Sequence, residues 1–149
     1  MKSLFMVITL ILLSHLTYSN TIYVDDSNTT GTENGTLQYP FNTVAVGIDT
    51  ANIGDTVYIF TGVYNEGLYL KDGLIITGED SSSVIINGIA NADVRMNHYT
   101  EVSNLKFTEF RIATGDGTAT IVVKQCRFQN ARFSSRDGYT FIIENCTID

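Results

Sequence analysis

Three segments near the C-terminus share one order of apolar and polar positions. They are Val102-Ser-Asn-Leu-Lys-Phe107, Val123-Lys-Gln-Cys-Arg-Phe128 and Ile143-Glu-Asn-Cys-Thr-Ile148, offset by 21 and then 20 residues. In a half-buried strand the apolar positions fall two apart. Here the first and second are three apart, so alternation breaks at Asn104, Gln125 and Asn145 and then resumes. A bend at the amide residue explains the break, because Asn tolerates the left-handed conformation that a tight corner requires. Asp116-Gly117 and Asp137-Gly138 recur 21 residues apart and read as turns, and Arg111 and Arg132 recur at the same offset. A corner every 20–21 residues, with β-branched and aromatic residues between, describes a chain that coils and stacks on itself. The fold class expected is an all-β solenoid, a right-handed parallel β-helix of about four coils. Like residues then form ladders spaced about 4.8 Å apart. Val102, Val123 and Ile143 make one inward ladder, and Phe107, Phe128 and Ile148 another.

The front half carries a different period. Phe41, Val44, Ile48 and Ala51 fall on one helical face. Pro40 suits a first helical turn and Gly54 an exit, so the pattern predicts an amphipathic helix over 40–51. Before it lie a short strand at Ile22–Val24 and a polar loop at 25–36. After it, strands are expected at Thr56–Phe60, Leu68–Leu70, Leu74–Ile76 and Val84–Ile86, divided at Gly62, Gly73 and Gly78. A stack of coils ends in apolar ladders facing water, and a helix laid across that end covers them. Residues 20–54 therefore read as strand, loop and capping helix, and 55–149 as coils.

Residues 1–19 read as a secretory signal. Lys2 precedes the apolar run Leu4–Leu13, and Thr17 and Ser19 stand at −3 and −1 of a cut before Asn20. A membrane-spanning helix needs about 20 apolar residues, twice this run. The expectation is export without a membrane span after cleavage: a secreted, extracellular or cell-surface protein, periplasmic in a Gram-negative host. Asn28, Asn34 and Asn145 lie in N-x-S/T sequons.

Residues 22–66 resemble the opening of the pectate-lyase-like superfamily of right-handed parallel β-helix proteins. The resemblance is carried by Tyr23-Val24, the loop ending Gly35-Thr36, Pro40-Phe41-x-Thr43, Ala51, Gly54-Asp55-Thr56-Val57-Tyr58 and Gly62-Val63-Tyr64-Asn65-Glu66. Ile75–Asp80 and Val84–Gly88 continue it. It implies the fold and not one function, since that superfamily holds polysaccharide lyases and hydrolases, adhesins and periplasmic metal-handling proteins. Its lyases imply Ca²⁺ held by carboxylates on adjacent coils with an Arg or Lys base; its hydrolases imply clustered Asp residues.

The residues for such chemistry are sparse. Two Cys and two His exclude a four-ligand Cys/His zinc site of the usual kind. After signal removal His98 is the one histidine, in a polar stretch that suits a surface turn. Asp25 and Asp26 have the oxygen density for a cation but lie in the cap loop, where a solvated loop is the plainer reading. Ca²⁺ is implied by the resemblance alone, and no catalytic residue is assigned. Cys126 and Cys146 occupy equivalent places on adjacent coils. They read first as an inward ladder of small apolar groups, with a disulfide as the open alternative.

The formal charge of −7 removes the broad basic face that nucleic acid requires. It is unevenly spread, −9 over residues 20–93 and +1 over 94–149. Lys106 with Arg127, and Arg111 with Arg132, recur at the coil offset and would be neighbours on an outer face. That patch can take the uronate or sulfate groups of a polysaccharide or cell-surface glycan, where Arg binds bidentately. The plainer reading is a solvated face neutralised by Glu101, Glu109 and Glu144, with Lys124 pairing to Glu144.

The sequence stops inside a strand pattern with no cap after it. That suggests a chain incomplete at its C-terminus, or one that self-associates through an open last coil. The functional expectation is a secreted, non-catalytic, surface-associated or glycan-binding module. The alternatives are the leading segment of a polysaccharide lyase or hydrolase whose site lies on further coils, and a structural adhesin stalk.

Overall fold

A computed structural model of the protein describes residues 19–88, 93–114, 118–134 and 138–149. Asp116, Asp137 and the first 18 residues of the expected signal at 1–19 lie outside the described residues. Among the described residues the first elements are β1 (Thr21–Val24) and a short helix, α1 (Val44–Thr50). Four turns of three strands follow. The first holds β2 (Thr56–Ile59), β3 (Gly62–Asn65) and β4 (Leu68–Tyr69); the second β5 (Ile75–Gly78), β6 (Val84–Asn87) and β7 (Asp93–Met96). The third holds β8 (Glu101–Ser103), β9 (Lys106–Thr108) and β10 (Arg111–Thr114); the fourth β11 (Ala119–Lys124), β12 (Arg127–Gln129) and β13 (Arg132–Ser134). β14 (Tyr139–Glu144) and β15 (Thr147–Ile148) begin another turn.

Each strand pairs in parallel with its equivalent one turn away. The result is three sheets, β1-β2-β5-β8-β11-β14, β3-β6-β9-β12-β15 and β4-β7-β10-β13. This is the parallel β-helix expected from the repeat. The register stacks Val57, Ile76, Val102, Val123 and Ile143, and on the second sheet Tyr64, Ile86, Phe107, Phe128 and Ile148. The members from the first four turns are buried in one continuous core. Phe107 and Phe128 stack face to face with ring centroids 5.5 Å apart and planes 7° apart.

The corners follow from backbone chemistry. Asn104, Gln125 and Asn145 have φ of 56°, 53° and 54°, the left-handed conformation their amides tolerate. A second corner, between the second and third sheets, places Glu109 and Asn130 at φ 60° and 54°. The sequence pattern did not single it out, because its occupants change chemistry from turn to turn.

The cap differs from expectation in its start. The helix does not open at Pro40. Phe41 instead bridges to Val24, its N–H donating to the Tyr23 carbonyl at 2.9 Å. Thr43 is the N-cap, its Oγ1 accepting from the Val46 N–H. The Glu66 carboxylate then takes the Val44 and Ala45 N–H groups at 2.8 and 2.9 Å, satisfying donors a helix start leaves open. At the other end Lys71 Nζ donates to the Asp49 and Ala51 carbonyls. The predicted face is right: Phe41, Val44, Ile48 and Ala51 are all buried. Gly47 brings the helix onto the first turn, since a Cβ there would lie 2.7 Å from Val24 Cγ2. Gly78 is the last residue of β5, at the division expected between the strands at 74–76 and 84–86.

Candidate functional site

The second corner creates the cavity of interest. It has a volume of about 1000 Å³ and is lined by Gly88, Glu109, Phe110, Arg111, Asn130, Ala131 and Arg132. Arg111 and Arg132 stand in direct register on β10 and β13, with Asp93 of β7 in register on the far side of Arg111. Both arginines are exposed. Asn130 Nδ2 donates to Glu109 Oε1 at 2.7 Å, which fixes the amide and carboxylate of two stacked corners on one wall. Gly88 takes the corresponding place one turn earlier, where a Cβ would lie 2.3 Å from the Glu109 carbonyl oxygen. The missing side chain leaves that end of the cavity open.

Lys106 and Arg127 are also in register, on β9 and β12 of the second sheet, but neither lines the cavity. The structure therefore divides the expected four-residue patch. Beside the lysine–arginine row runs a polar ladder, Asn65, Asn87, Thr108 and Gln129. Asn87 Nδ2 donates to Asn65 Oδ1 at 2.7 Å, and Thr108 Oγ1 to Asn87 Oδ1 at 2.8 Å. Asn87, Thr108 and Gln129 each precede a corner residue, so the 21-residue offset held the signal once the second corner is known.

On the outer face of the first sheet, Tyr23, Tyr58 and Phe60 cluster with ring centroids 5.1–6.1 Å apart. Tyr69 of β4 lies under the Arg95 guanidinium, 5.3 Å from the ring centroid. Neither aromatic contact was visible in the repeat, since both use residues from the front turns.

Asp25 Oδ1 accepts from the Ser27 N–H and hydroxyl, and Asp26 Oδ2 from the Val63 N–H, so both carboxylates serve the loop. Among the described residues no three His, Cys, Asp or Glu side chains group to hold a metal ion. His98 sits in a turn with Nδ1 3.2 Å from the Thr118 carbonyl oxygen. Lys124 pairs with Glu101 at 3.2 Å rather than with its register neighbour Glu144. Both acids lie on its outer face, and the one from the preceding turn is taken. Asp80 is held down at about 2 by hydrogen bonds from the Ser82 and Ser83 hydroxyls.

Cys126 and Cys146 are free thiols on adjacent turns. Cys146 Sγ accepts from the Cys126 N–H at 3.4 Å, so the pair packs as a ladder. Burial pushes the Cys126 thiol up to about 12. Titration with a disulfide reagent at pH 8 should thus find one fast thiol, Cys146, and one slow thiol that appears on unfolding. Two fast thiols would contradict the burial; none, even when unfolded, would mean a disulfide.

No helix among the described residues is long and apolar enough to cross a membrane. No family model, curated protein or solved structure matches the chain.

Proposed function

We propose that the protein is a secreted, non-catalytic β-helix module that binds an anionic glycan in the cavity between its second and third sheets. The observation that carries the proposal is the in-register pair Arg111 and Arg132 lining that cavity beside Glu109 and Asn130. Parallel stacking sets the backbones of the two arginines about 4.8 Å apart, on the scale of one sugar residue. Guanidinium forks suit carboxylate or sulfate groups. The carboxylate and amide on the same wall offer hydroxyl partners and disfavour a bare polyanion. Asn87, Thr108 and Gln129 extend the polar surface toward the second sheet.

Calorimetric titration with an oligogalacturonate, against a neutral glucan oligomer of equal length, tests this. Replacing Arg132 with alanine should weaken binding about tenfold, as expected for loss of one charge-assisted contact. Replacing Arg127 should change it far less. Equal affinity for the neutral oligomer, or glycan cleavage that is lost in the Arg132 variant, would overturn the proposal.

A further inference from the structure

The backbone nitrogen of Asn20 donates to Asp55 Oδ1 at 2.8 Å. Asp55 is 2% exposed, and its other oxygen takes the Asn52 N–H at 2.8 Å. The Asn20 carbonyl in turn accepts from the Thr56 N–H at 2.8 Å, so this residue is fixed on both sides at the head of β1. Ser19 on its other flank is exposed and touches the Gly54 carbonyl through its hydroxyl. The bond between Ser19 and Asn20 is the one the signal pattern marks for cutting. Two separate readings thus meet on one nitrogen atom: the leader's cleavage pattern and a buried carboxylate.

Resting on the export reading above, we propose that signal cleavage converts the Asn20 nitrogen into an α-ammonium ion-paired with the buried Asp55 carboxylate, so that processing itself locks the first strand onto the cap. In the cut, water supplies the co-reactant. The Ser19–Asn20 amide bond breaks, hydroxide equivalent goes to the Ser19 carbonyl to give a carboxylate, and the proton balance leaves Asn20 as –NH₃⁺. The carboxylate is ready for it. The Asn20 and Asn52 N–H groups hold the Asp55 carboxyl below its ordinary range against the opposing effect of burial. The other charged groups of the elements packed there are Asp49 of α1 and Lys71 and Asp72 of the turn bonded to Gly54. Lys71 is committed to the helix-end carbonyls, and Asp72 Oδ1 accepts from the His98 N–H. Asp55 is therefore the carboxylate placed to receive the new charge.

Pairing raises the α-amine above its ordinary value of about 8. A group so raised contributes its full stability below the unfolded value and loses it as the pH climbs through the folded one. Two chains isolate this term, one beginning at Asn20 and one at Ser19, which differ in where the ammonium sits. The Asn20 chain should melt about 3–6 °C higher at pH 6.5, the scale of one charge-assisted hydrogen bond in a domain this size. The gap should close near pH 10 and vanish in Asp55→Asn chains. Equal melting at pH 6.5, or a gap that persists at pH 10.5, overturns the proposal without recourse to the Asp55 variant. N-terminal sequencing of the exported product separates the two readings. An uncut chain, or one beginning elsewhere, removes the export reading or its cut site. A chain beginning at Asn20 with no melting difference removes the lock alone.

Discussion

Replacing Phe107 with alanine should lower the free energy of unfolding by about 3–5 kcal/mol, the range for large-to-small changes in a packed core. Phe107 is 1% exposed and sits at the centre of the inward ladder of the second sheet. Its ring lies face to face with Phe128 and edge-on to Phe110 at 6.0 Å. Removing it leaves a gap that the turns above and below cannot close, because their spacing is set by the backbone ladder of three sheets. A domain of this size holds about 5–15 kcal/mol in total, so the variant would be close to its limit. Urea unfolding measures this as a fall in midpoint with little change in slope. A loss below about 1 kcal/mol would mean the aromatic stack does not carry the core.

The second large effect comes from a change that looks mild. Replacing Gly78 with alanine should cost about 3 kcal/mol, at the upper end of overpacking effects. A Cβ there would lie 2.3 Å from the Asn104 carbonyl oxygen, 2.7 Å from Leu105 Cδ2 and 3.2 Å from Val84 Cβ. The nearest obstacle is backbone at the left-handed corner of the next turn, which has no rotamer to change. Relief requires the second and third turns to separate, and the whole first sheet resists that. Gly31 provides the control. Nothing lies within 4 Å of a Cβ there, but its φ is +74°, so alanine should cost only about 1–2 kcal/mol of backbone strain. If both variants melt alike, steric contact between turns is not what Gly78 provides.

The repeat was legible because three turns used the same chemistry at one corner. Asn104, Gln125 and Asn145 share an amide, so the break in alternation stands out by eye. Gly88, Glu109 and Asn130 share a place and nothing else, and that corner stayed hidden. With it went the cavity, since Arg111 and Arg132 were visible as a repeat but their separation from Lys106 and Arg127 was not. That separation depends on which sheet each pair joins, and the second corner decides it. The helix start was misplaced for a related reason. Pro40 meets every local condition for a first turn, but Phe41 is claimed by Val24 and the open N–H groups are satisfied by Glu66, more than 20 residues on. Local preference yielded to partners that only the fold brings near. Lys124 follows the same logic, with two acids on its face and the diagonal one chosen.

The cap lies at the N-terminal end, and every later turn rests on the one before it. A chain emerging from the ribosome therefore meets its own foundation first. By the time a new turn is released, the surface it must pair with is already complete. Once β1 has met β2, each described turn pairs with the one just before it, so its contacts close over a short stretch of chain. For this architecture, the direction of synthesis and the direction of assembly are the same.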